Sequence, residues 1–536
     1  MVISRHGIVA SEHPLASQAG AMVLAEGGNA VDAAIAANAA MGVVSPMSCG
    51  MGGDLFAIVY EARTGRLHGL NASGWAPAGL SIDFLRQHGM TNMPQHGIHA
   101  VTIPGAVAGW DALRSKLGRK DFARLLAPAI QLAEEGFPVT EHVAGYWKGS
   151  EAFMSADPAA KKTFLPSGRA PAVGEIFRNP DLAWSLRQVV TGGRSAYYQG
   201  AVATKLLACS RLHGGTWAAA DLRDYKVEWV DPISTTYHDW KIYEMPPQGQ
   251  GIGALEMLNL MEQFPLRDLG FGSVEAFHAM IEAKKLAYAD VLRYVADRRF
   301  AKVPVAGILD KSYARERAQR IDAHHAANEV PPGTLPDGGT DTTYLCAVDA
   351  EGNMVSLIQS NYAGFGSGLV ADGTGFPLQN RGGLFSLDEH HPNALTGHKR
   401  PLHTIIPAFM THGDVRMAFG IMGGWNQAQA HAQFVADIVD FSLNPQAALE
   451  APRFTKLDFA GTGVSMESRI PEPVRARLTA MGHEIKVIGP FAQDVGGGQA
   501  VMRDYASGIN YGASDPRKDG AAVPEPVSGR GHAPVP

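Results

Sequence analysis

The centre of the chain carries a β-hairpin pattern that opens on two threonines. Thr342 and Thr343 follow a Pro/Gly-rich stretch at residues 330–341, and Thr343 begins the β-rich run 343–349. A second β-rich run covers 354–360, and the residues between the two runs include Gly and Asn, which tolerate positive φ in turns. The pattern predicts that both threonines enter a sheet directly after a flexible segment.

The predicted register of this hairpin brings hydroxyl groups together at its open end. With the turn centred on residues 351–352, Thr343 lies opposite Ser360 and Thr342 lies opposite Asn361. A threonine acts as a nucleophile when its own α-amine accepts the Oγ proton, which requires cleavage of the preceding peptide bond. Taken alone, the two threonines are more typical of β-formers entering an ordinary sheet than of a nucleophile.

Composition excludes several classes of protein. The chain has 536 residues, 46% of them hydrophobic, which allows three or four domains or one interwoven body. A net charge of −6 gives no support for a nucleic-acid surface. The longest apolar stretch, residues 33–44, is too short to span a bilayer, so we expect a cytoplasmic protein without membrane contact. Three cysteines without Cys-x-x-Cys spacing predict small core residues.

Local signals place helices and strands along the chain. Ser11 is expected to cap a first helix containing Pro14, and an Ala-rich second helix is expected from Asn29. Residues 55–60 are typical of a buried strand, residues 102–320 are mainly helical, and short β-rich runs resume between 342 and 515. The Gly/Pro/Ala-rich segment from Asp519 to Pro536 predicts a disordered tail.

Ten short segments form a specific pattern in order along the chain. They are Gly27-Gly-Asn-Ala-Val-Asp-Ala-Ala34, Pro104-Gly-Ala-Val-Ala-Gly109, Met245-Pro-Pro247, Glu282-Ala-Lys-Lys-Leu-Ala-Tyr-Ala-Asp290, Thr342-Thr343 with Asp349-Ala-Glu-Gly-Asn353, Phe365-Gly-Ser-Gly368, Lys399-Arg-Pro-Leu402, Gly423-Gly424, Ala451-Pro-Arg453 and Gly512-Ala-Ser-Asp-Pro-Arg517. Together these segments resemble the γ-glutamyltransferase family of N-terminal-nucleophile hydrolases. The resemblance implies an α+β fold, a four-layer αββα sandwich with a helical layer contributed mainly by the large subunit.

The resemblance also implies a proenzyme that cleaves itself between Asp341 and Thr342. The products would be a large subunit, 1–341, and a small catalytic subunit, 342–518, followed by the tail 519–536. Thr342 would be the nucleophile, and Ser360 falls where the family usually has a second threonine that hydrogen-bonds it. Gly423 and Gly424 match the glycine pair whose N–H groups form the oxyanion hole, although a glycine pair is also typical of a tight turn.

The residues that would hold a γ-glutamyl head group depart from the family pattern. Ser73 stands where the family has an arginine for the α-carboxylate, in the loop that also carries Trp75. Leu384 stands where the family has an acid for the α-amino group. Five further residues expected to line the substrate site also differ from the family pattern or lie next to a changed position. They are Tyr344, Asn361, Tyr362, His403 and Thr404.

Arg381 is an added cation in the Leu384 loop, suited either to a substrate carboxylate or to a structural salt bridge. These changes resemble the cephalosporin-acylase-like and glutathione-hydrolase-like branch of the family. They imply an amidohydrolase acting on a small-molecule amide such as a dicarboxylic monoamide. The alternatives are a γ-glutamyl hydrolase or transferase and an unprocessed, non-catalytic scaffold.

No cofactor or metal is expected. The adjacent pairs His324-His325 and His390-His391 do not converge as metal ligands do, and they are typical of surface histidines. The partners implied by the resemblance are the protein's own two subunits, with a dimer of heterodimers as an allowed assembly.

Overall fold

The computed structural model describes residues 1–330, 341–456 and 461–527. In these ranges the helices are α1 Pro14–Ala25, α2 Ala30–Val44, α3 Ile82–Gln87, α4 Ala106–Leu117, α5 Phe122–Glu135, α6 Glu141–Gly149, α7 Glu151–Met154, α8 Pro158–Phe164, α9 Pro180–Tyr198, α10 Ala201–Leu212, α11 Ala219–Arg223, α12 Gly251–Met261, α13 Leu266–Leu269, α14 Val274–Tyr294, α15 Val305–Ile308, α16 Lys311–Ala318, α17 Gln427–Val439, α18 Pro445–Glu450 and α19 Glu472–Ala480.

The strands in the same ranges are β1 Val2–Ser4, β2 Ile8–Ser11, β3 Asp54–Glu61, β4 Arg66–Ala72, β5 Phe137–Pro138, β6 Ile176–Phe177, β7 Glu228–Val230, β8 Ile233–Tyr237, β9 Trp240–Glu244, β10 Asp341–Val348, β11 Met354–Tyr362, β12 Ala408–His412, β13 Val415–Met422, β14 Phe454–Thr455, β15 Gly463–Glu467, β16 Glu484–Ile488, β17 Gly497–Asp504, β18 Ile509–Ser514 and β19 Ala521–Pro524.

Two antiparallel sheets of seven strands form the middle of the molecule. We call them sheet 1, with the order β1-β18-β17-β13-β12-β9-β8, and sheet 2, with the order β19-β2-β10-β11-β3-β4-β7. Alternate side chains of strand β10 face two different apolar cores. Tyr344, Cys346 and Val348 belong to the apolar core between the sheets, whereas Leu345 and Ala347 belong to the core under the helices. Side chains on both faces are therefore buried.

Helices cover the outer face of each sheet. Helices α1, α2, α4 and α5 share one apolar core with sheet 2, and α12, α14 and α17 share another with sheet 1. The predicted four-layer αββα sandwich is confirmed, and most of the helices in the outer layers precede residue 341. The described part of the chain includes no helix long and apolar enough to cross a membrane.

The Ala-rich helix α2 is buried along its whole length. Small side chains allow this close packing, since a Cβ added at Gly20 of α1 would lie 2.8 Å from the Ala33 carbonyl oxygen. Asn29 and Asp32 form a capping box that satisfies the free backbone N–H groups at its start. For α1 the predicted cap is wrong: His13, not Ser11, accepts the Leu15 N–H, because Pro14 is the first helical residue.

The segments before and after residue 341 are interleaved in both sheets. Strands β10 and β11 lie in the middle of sheet 2 between β2 and β3, and sheet 1 combines β1, β8 and β9 with four later strands. Each segment therefore supplies strands without which the other's sheets would have unpaired edges.

The predicted disorder after Asp519 is wrong for residues 519–527. Strand β19 pairs with β2, and Thr140 Oγ1 donates a hydrogen bond of 2.7 Å to the Asp519 carboxylate near the start of α6. The Glu525 carboxylate also accepts a hydrogen bond of 3.0 Å from the Gly7 N–H. The pairing partner β2 lies some five hundred residues away in sequence, so the local Gly/Pro-rich composition carries no signal of it. Residues 528–536 of this prediction lie outside the described residues.

Candidate active site

The hairpin β10–β11 positions two hydroxyl groups at its open end. Thr342 Oγ1 and Ser360 Oγ lie 3.0 Å apart, and both residues are fully buried. Ser360 Oγ also accepts a hydrogen bond of 2.8 Å from the Tyr362 N–H. The contact between these two hydroxyls is the one that the family resemblance implies.

The predicted hairpin register is wrong by one residue. Thr343 pairs with Gln359, not with Ser360, because the turn holds three residues between Asp349 and Asn353 in place of two. In this register Thr342 lies opposite Ser360, and their side chains meet. The register shift between Asp341 and Thr343 leaves Asn361 as an extra residue on β11, so the length of the turn, and not this bulge, sets the hydroxyl contact.

Gly423 and Gly424 form the sharp connection between β13 and α17. Their φ values are 143° and 55°, in the region that favours glycine. Among the described residues, neither backbone N–H of this pair donates a hydrogen bond. The Gln250 side-chain amide donates to the carbonyl oxygens of Gly424 and Thr404, at 2.8 and 2.6 Å. Gln250 thereby joins the glycine connection to the Thr404 loop.

Asp54 is a site residue that sequence reasoning missed. It begins β3 and pairs directly with Ser360 on β11. Its carboxylate accepts hydrogen bonds from the Gly74 N–H at 2.7 Å and from His403 Nε2 at 2.9 Å. The signal available in the sequence was the position of this acid directly before the predicted buried strand 55–60, because a buried carboxylate requires hydrogen-bond donors around it.

Arg381 lies next to Asp54 and is fully buried. Its Nη1 donates a hydrogen bond of 2.6 Å to Thr404 Oγ1, and its guanidinium lies 4.5 Å from the centre of the Tyr362 ring. Its Nε lies 3.6 Å from Asp54 Oδ2, an ion pair beyond hydrogen-bonding distance. Burial lowers the pKa of Arg381 to about 10, and the Asp54 charge opposes that shift. The side chain remains charged at neutral pH.

His403 is neutral in this cluster. Burial, assisted by the positive charge of Arg381, lowers the pKa of His403 to about 4. Its Nδ1 accepts a 3.4 Å contact from the Ile405 N–H, so the proton is assigned to Nε2, which donates to Asp54. The cluster of Asp54, Arg381 and His403 thus carries one negative and one positive charge.

The loop where the family has its carboxylate-binding arginine is filled by structural contacts. Ser73 Oγ donates to the Asn71 side chain at 2.7 Å and accepts from Gln248 at 2.6 Å. Arg400 approaches from another loop, but its three nitrogens donate to Ser73 O, Lys226 O and the Glu228 carboxylate. The arginine that approaches Ser73 is therefore already engaged.

Three other predicted site residues lie in apolar surroundings. Leu384 belongs with Tyr362 to the core under sheet 1, and Trp75 stacks edge-on against Tyr225 at 5.2 Å. The Tyr344 ring points between the sheets, with its hydroxyl 2.8 Å from Ser356. The Tyr362 ring contacts the Arg381 guanidinium. The positive φ of Tyr362, 78°, turns the chain there toward the guanidinium.

Asn361 is held by main-chain contacts rather than by Thr342. Its N–H donates to Ser48 O at 2.9 Å, and its side-chain amide donates to Pro46 O at 3.0 Å. The register shift leaves Ser360 and Asn361 together opposite Thr342, so the regular pairing of Asn361 with Thr342 that the sequence predicts is replaced by a bulge.

A potential metal-ligand cluster lies away from these residues. Ligand atoms of His278, Glu282 and His483 lie within 4.8 Å of one another. The Lys285 ammonium donates to Glu282 at 2.6 Å, and the two imidazoles hydrogen-bond each other at 2.8 Å. The lysine already supplies the positive charge there. Of the predicted surface histidines, His324, His325 and His390 are exposed and His391 is half-buried.

The architecture and the comparisons identify the protein class. Two stacked sheets between helical layers are the fold of N-terminal-nucleophile hydrolases. The family model of gamma-glutamyltranspeptidase matches residues 16–525. The chain belongs to the gamma-glutamyltranspeptidase family. Since the matched relatives are hydrolases, it is an enzyme of that class.

Among its relatives is the glutathione hydrolase-like YwrD proenzyme of Bacillus subtilis, 35% identical and covering 97% of this chain and 99% of its own. The oxamate amidohydrolase proenzyme of Klebsiella pneumoniae is 33% identical, with 97% and 99% covered. The crystal structure of cephalosporin acylase from Bacillus halodurans superposes with a TM-score of 0.91 at 42% identity, covering 98% of this chain and 96% of that one.

Proposed function

We propose that this protein is a self-cleaving amidohydrolase whose nucleophile is Thr342. The observation that carries the proposal is the buried contact of 3.0 Å between Thr342 Oγ1 and Ser360 Oγ at the start of a central strand. The proenzyme names of the relatives support the same reading. Cleavage would divide the chain into a large subunit, 1–341, and a small catalytic subunit beginning at Thr342.

Maturation would proceed by an N-to-O acyl shift. Thr342 Oγ attacks the Asp341 carbonyl carbon, the C–N bond breaks, and the nitrogen gains the proton that Oγ loses. Water then hydrolyses the ester, which releases the Asp341 carboxylate and restores the Thr342 hydroxyl. The product is a free α-amine beside its own Oγ, where it serves as the general base.

Turnover would reuse the same atoms. The amine accepts the Oγ proton as Thr342 attacks the substrate amide, and it returns the proton to the leaving amine. The backbone N–H groups of Gly423 and Gly424 are suited to the oxyanion because each lacks another acceptor among the described residues. One such donor typically contributes about 3 kcal/mol to transition-state stabilisation. Water finally hydrolyses the acyl ester on Thr342.

The acyl group is proposed to lack the γ-glutamyl head. Ser73 and Leu384 supply no charge where the family grips the head group, and Arg400 is engaged by three other acceptors. An unpaired buried ammonium or carboxylate costs several kcal/mol. One relative is an oxamate amidohydrolase and one structural neighbour is a cephalosporin acylase, and both names fit an enzyme that acts on other amides. A dicarboxylic monoamide is the substrate type that we favour.

Intact mass spectrometry tests the nucleophile. Purified wild-type protein should yield two fragments, one ending at Asp341 and one beginning at Thr342. Thr342→Ala should remain a single chain, while Thr343→Ala, which removes the neighbouring hydroxyl, should still be cut. An uncut wild-type chain would favour the scaffold interpretation.

Substrate profiling tests the acyl preference of the mature enzyme. We expect γ-glutamyl-p-nitroanilide to be a poor substrate. Hydrolysis of that compound with a micromolar KM would contradict the proposed loss of the head-group site and favour the γ-glutamyl alternative.

A further inference from the structure

One edge of the Arg381 guanidinium has no hydrogen-bond acceptor. Nη1 is bonded to Thr404 Oγ1 at 2.6 Å, whereas Nε and Nη2 lack a partner among the described residues, although both atoms are fully buried. Buried donors in folded proteins are nearly always paired. Two neighbouring donors left open on the same side chain therefore indicate a ligand.

The geometry of the open edge matches a carboxylate. The N–H bonds of Nε and Nη2 on one side of a guanidinium are parallel, and they fit the two oxygens of a carboxylate in a bidentate pair. Two other contacts fix the plane of the guanidinium and therefore the direction of these two N–H donors. The Tyr362 ring centre lies 4.5 Å from the guanidinium, and Thr404 Oγ1 accepts from Nη1. A side chain held in this way is prepared for a planar anion.

Asp54 approaches the same edge without occupying it. Its Oδ2 lies 3.6 Å from Nε, too far for a hydrogen bond, and already accepts from His403 Nε2 at 2.9 Å. Its Oδ1 accepts from the Gly74 N–H at 2.7 Å. The acid therefore stabilises the buried cation by its charge and leaves the two donors open.

A short series of contacts connects the open edge to the proposed nucleophile. Tyr362, which packs under Arg381, donates its N–H to Ser360 Oγ at 2.8 Å, and Asp54 pairs with Ser360 across the sheet. Thr404, which accepts from Arg381, is connected to Gly424 by Gln250. Arg381 therefore belongs to the same group of packed residues as the hydroxyl pair and the glycine connection.

We propose that Arg381 binds a carboxylate on the acyl group of the substrate through Nε and Nη2. Asp54 and His403 are positioning residues that hold the guanidinium. The inference rests on the proposed function, and it narrows the substrate class to monoamides of short dicarboxylic acids. The leaving amine is unrestricted by this contact. The same pair of donors explains how a charged acyl group is accepted where Ser73 and Leu384 supply no charge.

Matched pairs of anilides test the contact. Succinyl-p-nitroanilide and butyryl-p-nitroanilide differ by a terminal carboxylate in place of a methyl group, as do the glutaryl and pentanoyl compounds. For the wild-type enzyme we expect kcat/KM to be at least about 100-fold higher for one carboxylated member than for its uncharged partner. Arg381→Met should abolish that ratio, while Arg381→Lys, which keeps the charge but not the fork, should restore a minor part.

Two further variants separate positioning from structure. Asp54→Asn keeps the shape of the acid and should lower the carboxylate ratio through a higher KM, with less change for the butyryl compound. Arg187→Met removes a surface arginine that pairs with Glu134 and should leave the ratio unchanged. Intact mass spectrometry of each variant shows whether the bond before Thr342 has been cleaved, so that a folded but uncut variant is recognised.

The outcomes distinguish this inference from the proposed function. If Arg381→Met is cut normally and keeps the wild-type ratio, the carboxylate site is wrong and the nucleophile stands. If the wild-type chain is never cut, the proposed function fails first. If Arg381→Met fails to fold, the carboxylate site is tested instead by the shift in thermal unfolding temperature that each ligand causes in the mature wild-type protein. Succinamate should stabilise it more than butyramide at equal concentration, and equal shifts would overturn the inference.

Discussion

At the scale of single residues, the candidate site depends on buried polar groups that differ in how completely their hydrogen-bonding atoms are paired. The hydroxyls of Thr342 and Ser360 contact each other, and Asp54 has hydrogen-bond donors for both of its oxygens. Arg381 alone in this group keeps two open donors. The site therefore combines a fixed hydroxyl pair with an unfilled cationic edge.

Ser360 is the residue at which a hydroxyl should matter most after Thr342. Ser360→Ala removes the group 3.0 Å from Thr342 Oγ1 and the acceptor of the Tyr362 N–H. Losing a hydrogen bond of about 1–3 kcal/mol predicts that self-cleavage slows by roughly tenfold to a hundredfold. The measurement is the rate at which the two fragments appear after translation.

Ser360→Thr is the matched control for this change. It keeps the hydroxyl and adds the methyl group that the family's usual threonine carries, so cleavage should proceed at a rate near that of the wild type. Equal rates for Ser360→Ala and the wild type would exclude a role for this hydroxyl.

At the scale of elements, β10 and β13 face each other across the inter-sheet core through one close contact. A Cβ added at Gly420 would lie 2.5 Å from the Tyr344 ring, so glycine is required for this ring to lie flat between the sheets. Gly420 lies three residues before Gly423, and Tyr344 lies two residues after Thr342. The contact thus sets the spacing of the two strands that carry the proposed nucleophile and oxyanion groups.

Gly420→Ala should disturb both stability and maturation. The added methyl group has to move the Tyr344 ring or separate the strands, which predicts a loss of about 1–3 kcal/mol in the free energy of unfolding. Chemical denaturation of the Thr342→Ala precursor, with and without the second change, measures it. Gly145→Ala in α6 is the control, because its Cβ would meet nothing within 4 Å. Similar losses for both variants would contradict the contact.

At the scale of the whole molecule, the division proposed at residue 341 does not separate two domains. Sheet 1 and sheet 2 each contain strands from both sides of that bond, and β19 returns to pair with β2 near the start of the chain. The two subunits would therefore share one set of cores from the moment of folding.

The cleaved protein should consequently behave as one particle. The two fragments are expected to elute together in size-exclusion chromatography without denaturant and to separate in guanidinium chloride, because parting them would expose both sheets. The uncut Thr342→Ala protein is the reference for elution volume. Spontaneous separation of the fragments under native conditions would be inconsistent with the interleaved sheets.

The sequence by itself determined the four-layer class of fold and the strand that carries Thr342 near its start, because these depend on residue types at matched positions. The loss of charge at Ser73 and Leu384 stays a prediction. Local patterns did not determine the length of the hairpin turn, the strand after Asp519 or the role of Asp54. The turn holds three residues where two were predicted. The other two features depend on partners distant in sequence, namely the edge of β2 and the donors of His403 and Gly74. Tertiary packing alone decided which buried groups found partners and left the edge of Arg381 open.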